Sequence, residues 1–116
     1  MLSRQNLQTK FEEILGSRNV YFQPPESLKL QYPAIVYSRR EIENTFANNM
    51  VYMQAHCYEV TVIDRNPESE IVDKISLLSH CRFDRHFVSD NLYHDVFILY
   101  NLKGGLTYET DMGQNW

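Results

Sequence analysis

A chain of 116 residues, 43% hydrophobic and 22% charged, has the size and balance of one soluble globular domain. Eight Tyr, six Phe and one Trp provide enough bulk for a core and exclude a disordered chain, while four Gly and four Pro exclude collagen-like and low-complexity ones. Eleven basic residues against fifteen acidic ones give −4 at pH 7, which argues against a protein that coats nucleic acid; only Arg39–Arg40 and Arg82–Arg85 gather positive charge.

No apolar run reaches the ~20 residues that a membrane-spanning helix needs, and the opening MLSRQNLQTKFEE lacks the apolar centre of a signal peptide. A cytoplasmic protein is expected, with Cys57 and Cys81 as reduced, packed thiols and a single disulfide as the alternative. Ser3 is placed to cap a helix whose buried stripe is Leu7, Phe11, Ile14 and Leu15, ended by Gly16. Val20–Phe22 is a short strand, and residues 23–31, with Pro24-Pro25, form an irregular connection. Ala34–Tyr37 is the next strand.

The stretch 39–50, RREIENTFANNM, reads as a long polar hairpin loop, longer than a plain turn requires. Val51–Ile63 follows as a strand in which Tyr58, Val60 and Val62 alternate while Met53, Ala55 and Cys57 hold the opposite parity. Either a bulge near residue 57 or two covered faces explains the change. Asn66 is the expected N-cap of a second helix with Pro67 in its first turn and Ile71, Ile75 and Leu78 as its stripe, widened by Val72 and Leu77. Arg82–Val88 and Tyr93–Leu102 are the last strands, joined by a tight turn at Ser89–Leu92, and 103–116 is expected to be a flexible tail. The order predicts an α+β fold over residues 1–102: two helices on one face of a mostly antiparallel sheet.

Chemical signatures are sparse. His56-Cys57 and His80-Cys81 are adjacent pairs that point apart on a strand, and no CxxC, HxxxH or HExxH spacing occurs, so no metal or cofactor is expected. Cys57 lies mid-strand as a small apolar residue would, and the Glu pairs lie on helix surfaces, so no catalytic set is expected. What remains is contact surface. The 39–50 stretch is either a solvated hairpin tip or an arm reaching a neighbour, with Phe46 as anchor and the charges of Arg39, Arg40 and Glu43 setting register. Tyr52, Tyr93 and Tyr100 suit core edges or contacts equally. The Tyr93–Leu102 strand is apolar on both parities, Val96 and Ile98 against Phe97 and Leu99, so it is either fully buried or covered on one face by another subunit.

Several runs, in order, carry a resemblance. They are Gly16–Pro25, Tyr32–Tyr37, Ala47-Asn48-Asn49, Tyr58–Asp64, Pro67–Ile71, and Phe83-Asp84-Arg85 ahead of Asp90–Phe97. Together, over residues 3–102, they resemble the tail-terminator, or tail-completion, proteins of long-tailed bacteriophages. The resemblance implies a non-enzymatic virion protein: a hexameric ring that caps the finished tail tube and presents the surface joining tail to head. The implied partners are further copies of the chain, the tail tube protein and a head-side neck or connector protein, with DNA passing the lumen without specific binding. The implied location is the head–tail junction of the virion, after assembly in the host cytoplasm. On this basis the contact residues are Arg39, Arg40, Glu43, Phe46, Asn48, Tyr52, Tyr93, Phe97 and Leu99. Another neck or head-completion component is the alternative, and a small ligand-binding or enzymatic domain using Cys57, His56 or His94 is the alternative of a different class.

Overall fold

A computed structural model describes residues 4–104, with backbone alone for Val51, Tyr52 and Leu102–Gly104. The expected cap Ser3 and residues 105–116 of the expected tail lie outside the described residues. The chain runs α1 (Arg4–Leu15), β1 (Val20–Phe22), β2 (Ala34–Ala47), β3 (Met50–Asp64), α2 (Glu70–Ser76), β4 (Cys81–Ser89) and β5 (Leu92–Gly104). The strands form one five-stranded sheet in the order β1-β2-β3-β5-β4. Only the β1–β2 pair is parallel, so the expected α+β class with a mostly antiparallel sheet holds.

Helix α1 forms where the i, i+4 spacing placed it. Leu7 and Phe11 are fully buried, and Gly16 ends the helix at φ 80°, with its N–H donating to the Glu12 carbonyl at 2.8 Å. Gln8 fastens the helix to the sheet. Its amide donates to the Val20 carbonyl at 2.9 Å, and its oxygen accepts the Tyr37 hydroxyl at 2.6 Å. Around Tyr37 the rings of Phe11, Phe22 and Tyr58 lie with centroids 5.1, 5.0 and 5.9 Å away. Burial pushes the Tyr37 phenol above its ordinary value, against the pull of the Arg4 guanidinium. The hydroxyl is therefore a hydrogen-bonding group throughout the neutral range.

The α2 cap differs from expectation. Ser69 is the N-cap, its Oγ accepting from the Ile71 N–H at 3.3 Å. Asn66 instead stabilises a preceding turn, accepting from the Glu68 N–H at 2.9 Å while its own N–H donates to Asp64 Oδ1 at 3.0 Å. The helix starts three residues later than Pro67 suggested because Asp64 and Asn66 each close a turn of their own. Leu77, expected on the buried stripe, sits at the C-cap and is exposed, whereas Leu78 is buried. Ser69→Ala should cost about 1 kcal/mol of stability, measured by urea denaturation, and Asn66→Ala clearly less.

The core lies between the helices and one sheet face. Ile35, Tyr37, Tyr58, Val60, Val62, Phe97 and Leu99 meet Leu7, Phe11, Ile75 and Leu78 there. Hence the second parity of β5, not this one, faces away from the helices. Val96 and Ile98 are nonetheless buried, flanked in the ladder by Thr61 and Arg85 and by Glu59 and Arg82. Cys57 and Tyr58 are both buried on opposite faces, so two covered faces explain the parity change in β3. The nearby bulge is in the partner strand, where Arg40 is the extra residue between Arg39↔Tyr58 and Glu41↔Cys57.

Candidate functional site: the β2–β3 arm

The 39–50 stretch is not a loop. β2 continues to Ala47, β3 begins at Met50, and only Asn48 and Asn49 turn the chain, with φ of 55° and 63°. Two successive left-handed residues are what a two-residue hairpin with the native strand twist requires, and Asn tolerates them. The charged residues misled the sequence reading because a ribbon exposed on both faces needs no period-two apolar pattern.

Helix-packed rows of the sheet end at Arg39 and Tyr58. Beyond them β2, β3 and the end of β5 form an extension, and β2–β3 alone form its tip. Its side chains from Arg39 to Met50 are all exposed, including Ile42 at 46%, Phe46 at 64% and Met50 at 59%. Polar side chains stiffen one face: Gln54 Nε2 donates to Asn44 Oδ1 at 3.0 Å, and Gln54 Oε1 lies 2.8 Å from His56 Nε2. Arg39 fixes the root, its N–H donating to Gln23 Oε1 at 3.1 Å.

Arg39, Arg40, Glu43, Phe46 and Asn48 therefore share one arm. Tyr52 lies on the same arm by its backbone, and its side chain lies outside the described residues. Tyr93 does not join them. It stands at the far end of the sheet, about 20 Å from the Arg39 row and about 40 Å from the arm tip at ~3.3 Å per residue, paired with Asp64 and stacked on His86 at 6.0 Å. Phe97 and Leu99 are corrected outright: both are fully buried in the subunit's own core, with Phe97 edge-on to Phe83 at 5.6 Å, and neither is available to a partner. Val96 and Ile98 on the opposite parity are buried as well, so β5 is the fully buried strand of the two alternatives and leaves neither face for a partner.

Sequence reasoning missed Ile42 and Met50 on the arm and Phe83, Phe87 and Val88 on β4, all exposed. The signal on β4 was present: apolar residues of both parities interleaved with Arg82, Asp84, Arg85 and His86, on a strand that borders only β5.

Chemically reactive groups are muted. Among the described residues no three His, Cys, Asp or Glu side chains are grouped to hold a metal. Neither cysteine is in a disulfide. Burial pushes the Cys81 thiol up to about 11, and burial also raises Cys57, partly offset by a hydrogen bond with Tyr100. Both are thiols at neutral pH, and the nucleophilic form is the thiolate. Iodoacetamide at pH 8 should leave both unmodified in the folded protein and label both in urea; rapid labelling of Cys81 in the folded protein would contradict the assignment. A cavity of about 340 Å³ is lined by His80, Cys81, Arg82 and Tyr100, and one of about 540 Å³ by residues of the α2 N-terminal turn with His86 and Asp95, whose Nδ1 and Oδ1 are 2.9 Å apart.

Among the described residues no helix is long and apolar enough to cross a membrane. In comparison with known proteins, no family model matches the chain and no curated protein matches it.

Proposed function

We propose that this protein is a structural assembly subunit, a tail terminator of a long-tailed bacteriophage, acting as a ring of identical copies on the end of the tail tube. The observation that carries this reading is the arm. A two-stranded projection exposes Ile42, Phe46 and Met50, apolar surface that no other described residue of the subunit covers. Copies related by rotation provide a second surface for it, and a head-to-tail contact that closes gives a ring. The α+β fold and the resemblance over residues 3–102 agree with the assignment. The ring ends tube growth and offers its other surface to a neck or connector protein. The −4 net charge suits a lumen through which DNA passes without binding.

Particles made without this protein test the reading. A terminator's loss gives overlong tails that fail to join heads. Normal-length tails beside filled, tailless heads would instead assign the protein to a head-side connector.

A further inference from the structure

The sheet has two unpaired edges of complementary character. β1 pairs with β2 only at Ile35, Val36 and Tyr37, so among the described residues the outer edge of β2 has no partner strand from Ser38 to Ala47. β4 borders the opposite side along its whole length. Ladder register sorts the side chains of both edges. On the face away from the helices, β2 presents Glu41 and Glu43, in the rows of Cys57 and Ala55. On that same face β4 presents Arg82 and Arg85, in the rows of Ile98 and Val96. Asp84 between them lies 3.6 Å from Arg82 Nη1 and 2.6 Å from Arg85 Nη1, and Glu59 lies 3.7 Å from Arg85 Nη1. This leaves the two guanidiniums, each more than half exposed, with one net positive charge for the β4 edge itself. On the helix-side face, β2 alternation carries Ile42 and Phe46, and β4 carries Phe83 and Val88, 52% and 56% exposed. Acid thus faces base on one side of the sheet, and apolar surface faces apolar surface on the other.

We propose that the outer edge of β2 in one copy pairs antiparallel with β4 of the next copy, so that the sheet runs continuously from subunit to subunit. This rests on the ring-forming reading above and names the contact that builds the ring. Strand directions agree: β2 and β5 run one way and β3 and β4 the other, so rotated copies bring β2 and β4 together antiparallel with like faces aligned. The free β2 segment lies six or so residues along from the rows that β4 occupies. That offset is about 20 Å, against a width of about 19 Å for the four strands β2, β3, β5 and β4 that repeat, and gives a strand tilt of roughly 45°, at the upper end of the range at which sheets close. A two-fold β4–β4 pairing would place Arg82 and Arg85 of one copy beside those of the other and is disfavoured by like charge. The bulge at Asp84, between Phe83 and Arg85, and the charges of β4 guard this edge against unselective pairing, leaving as its match a strand that carries carboxylates on the face away from the helices, as β2 does at Glu41 and Glu43.

A charge exchange tests the contact by native mass spectrometry. E41R/E43R and R82E/R85E should each remain monomeric at about ten times the concentration at which the wild type is assembled, because like charges across a contact cost several kcal/mol. Mixed one to one they should regain the wild-type oligomer mass, since each altered β2 then meets an altered β4 and each native edge a native one in an alternating ring. Circular dichroism and thermal melting confirm that each variant is folded. Arg85 bridges both Asp84, at 2.6 Å, and Glu59, whereas Arg82 meets only Asp84 and at 3.6 Å, so R82E alone replaces the double variant if that one melts early. If the wild type assembles but E41R/E43R assembles equally well, or if the mixture stays monomeric, the edge pairing is wrong and the ring reading stands. A wild type that neither self-associates nor binds tube ends overturns both.

Discussion

Phe97→Ala should destabilise the subunit by about 3–5 kcal/mol, enough to leave much of a small domain unfolded. Phe97 is fully buried and lies between β3, β4 and the helices. In the ladder it faces Val60 on one side and Phe83 on the other. Truncation removes the aromatic volume and the edge-on contact with Phe83 together, and a sheet held by ladders on both sides has little freedom to collapse into the void. Urea denaturation measures the loss. A change under 1 kcal/mol would return Phe97 to the surface and contradict the packing described.

Phe46→Asp should do the opposite. Phe46 sits on the arm tip, 64% exposed, and stability of the isolated subunit should change by no more than about 0.5 kcal/mol. Assembly should be lost, because a carboxylate at the apolar row of the contact has no partner and must be desolvated there. Analytical ultracentrifugation at increasing concentration reads this directly. Phe46→Leu should keep assembly, so the pair separates apolar burial from a general disturbance of the turn. An unfolded Phe46→Asp variant, or one that assembles like the wild type, would show that the arm is part of the monomer's core or irrelevant to association.

The contrast between these two phenylalanines shows which parts of the fold the sequence discloses. Helix α1 was legible because Leu7, Phe11, Ile14 and Gly16 carry both the buried period and the stop. The Asp90–Asn91 turn was legible for the same local reason, and both residues are left-handed, at φ 53° and 62°. An equivalent Asn48-Asn49 pair was passed over because the strands beside it lack an apolar face. A strand that buries nothing inside its own subunit writes no periodicity, although its hydrogen-bond ladder is as regular as any other. Phe97 failed differently. Alternation showed that Phe97 and Leu99 oppose Val96 and Ile98, but the side on which the helices lie depends on long-range packing of α1 against Tyr37 and Tyr58. No local pattern in β5 holds that information. Of the candidate contact residues, those on the arm were found through charge and a solitary Phe46, while the β4 edge required the strand order, in which β5 inserts between β3 and β4.

Cys81 is pushed up to about 11 from 9.0, and Tyr37 is raised from 10.0, in both cases first by burial. Raised folded-state values make the neutral forms part of the native state, so this stabilisation is complete below about pH 9 and declines as pH rises toward 11.

The proposed working unit is a closed assembly of identical subunits. Native mass spectrometry of the wild-type protein, alone and with isolated tail tubes, tests it most directly. A single discrete oligomer, six copies by the resemblance, is expected in the free protein or at tube ends. A monomer at every concentration that leaves tube ends bare would contradict it.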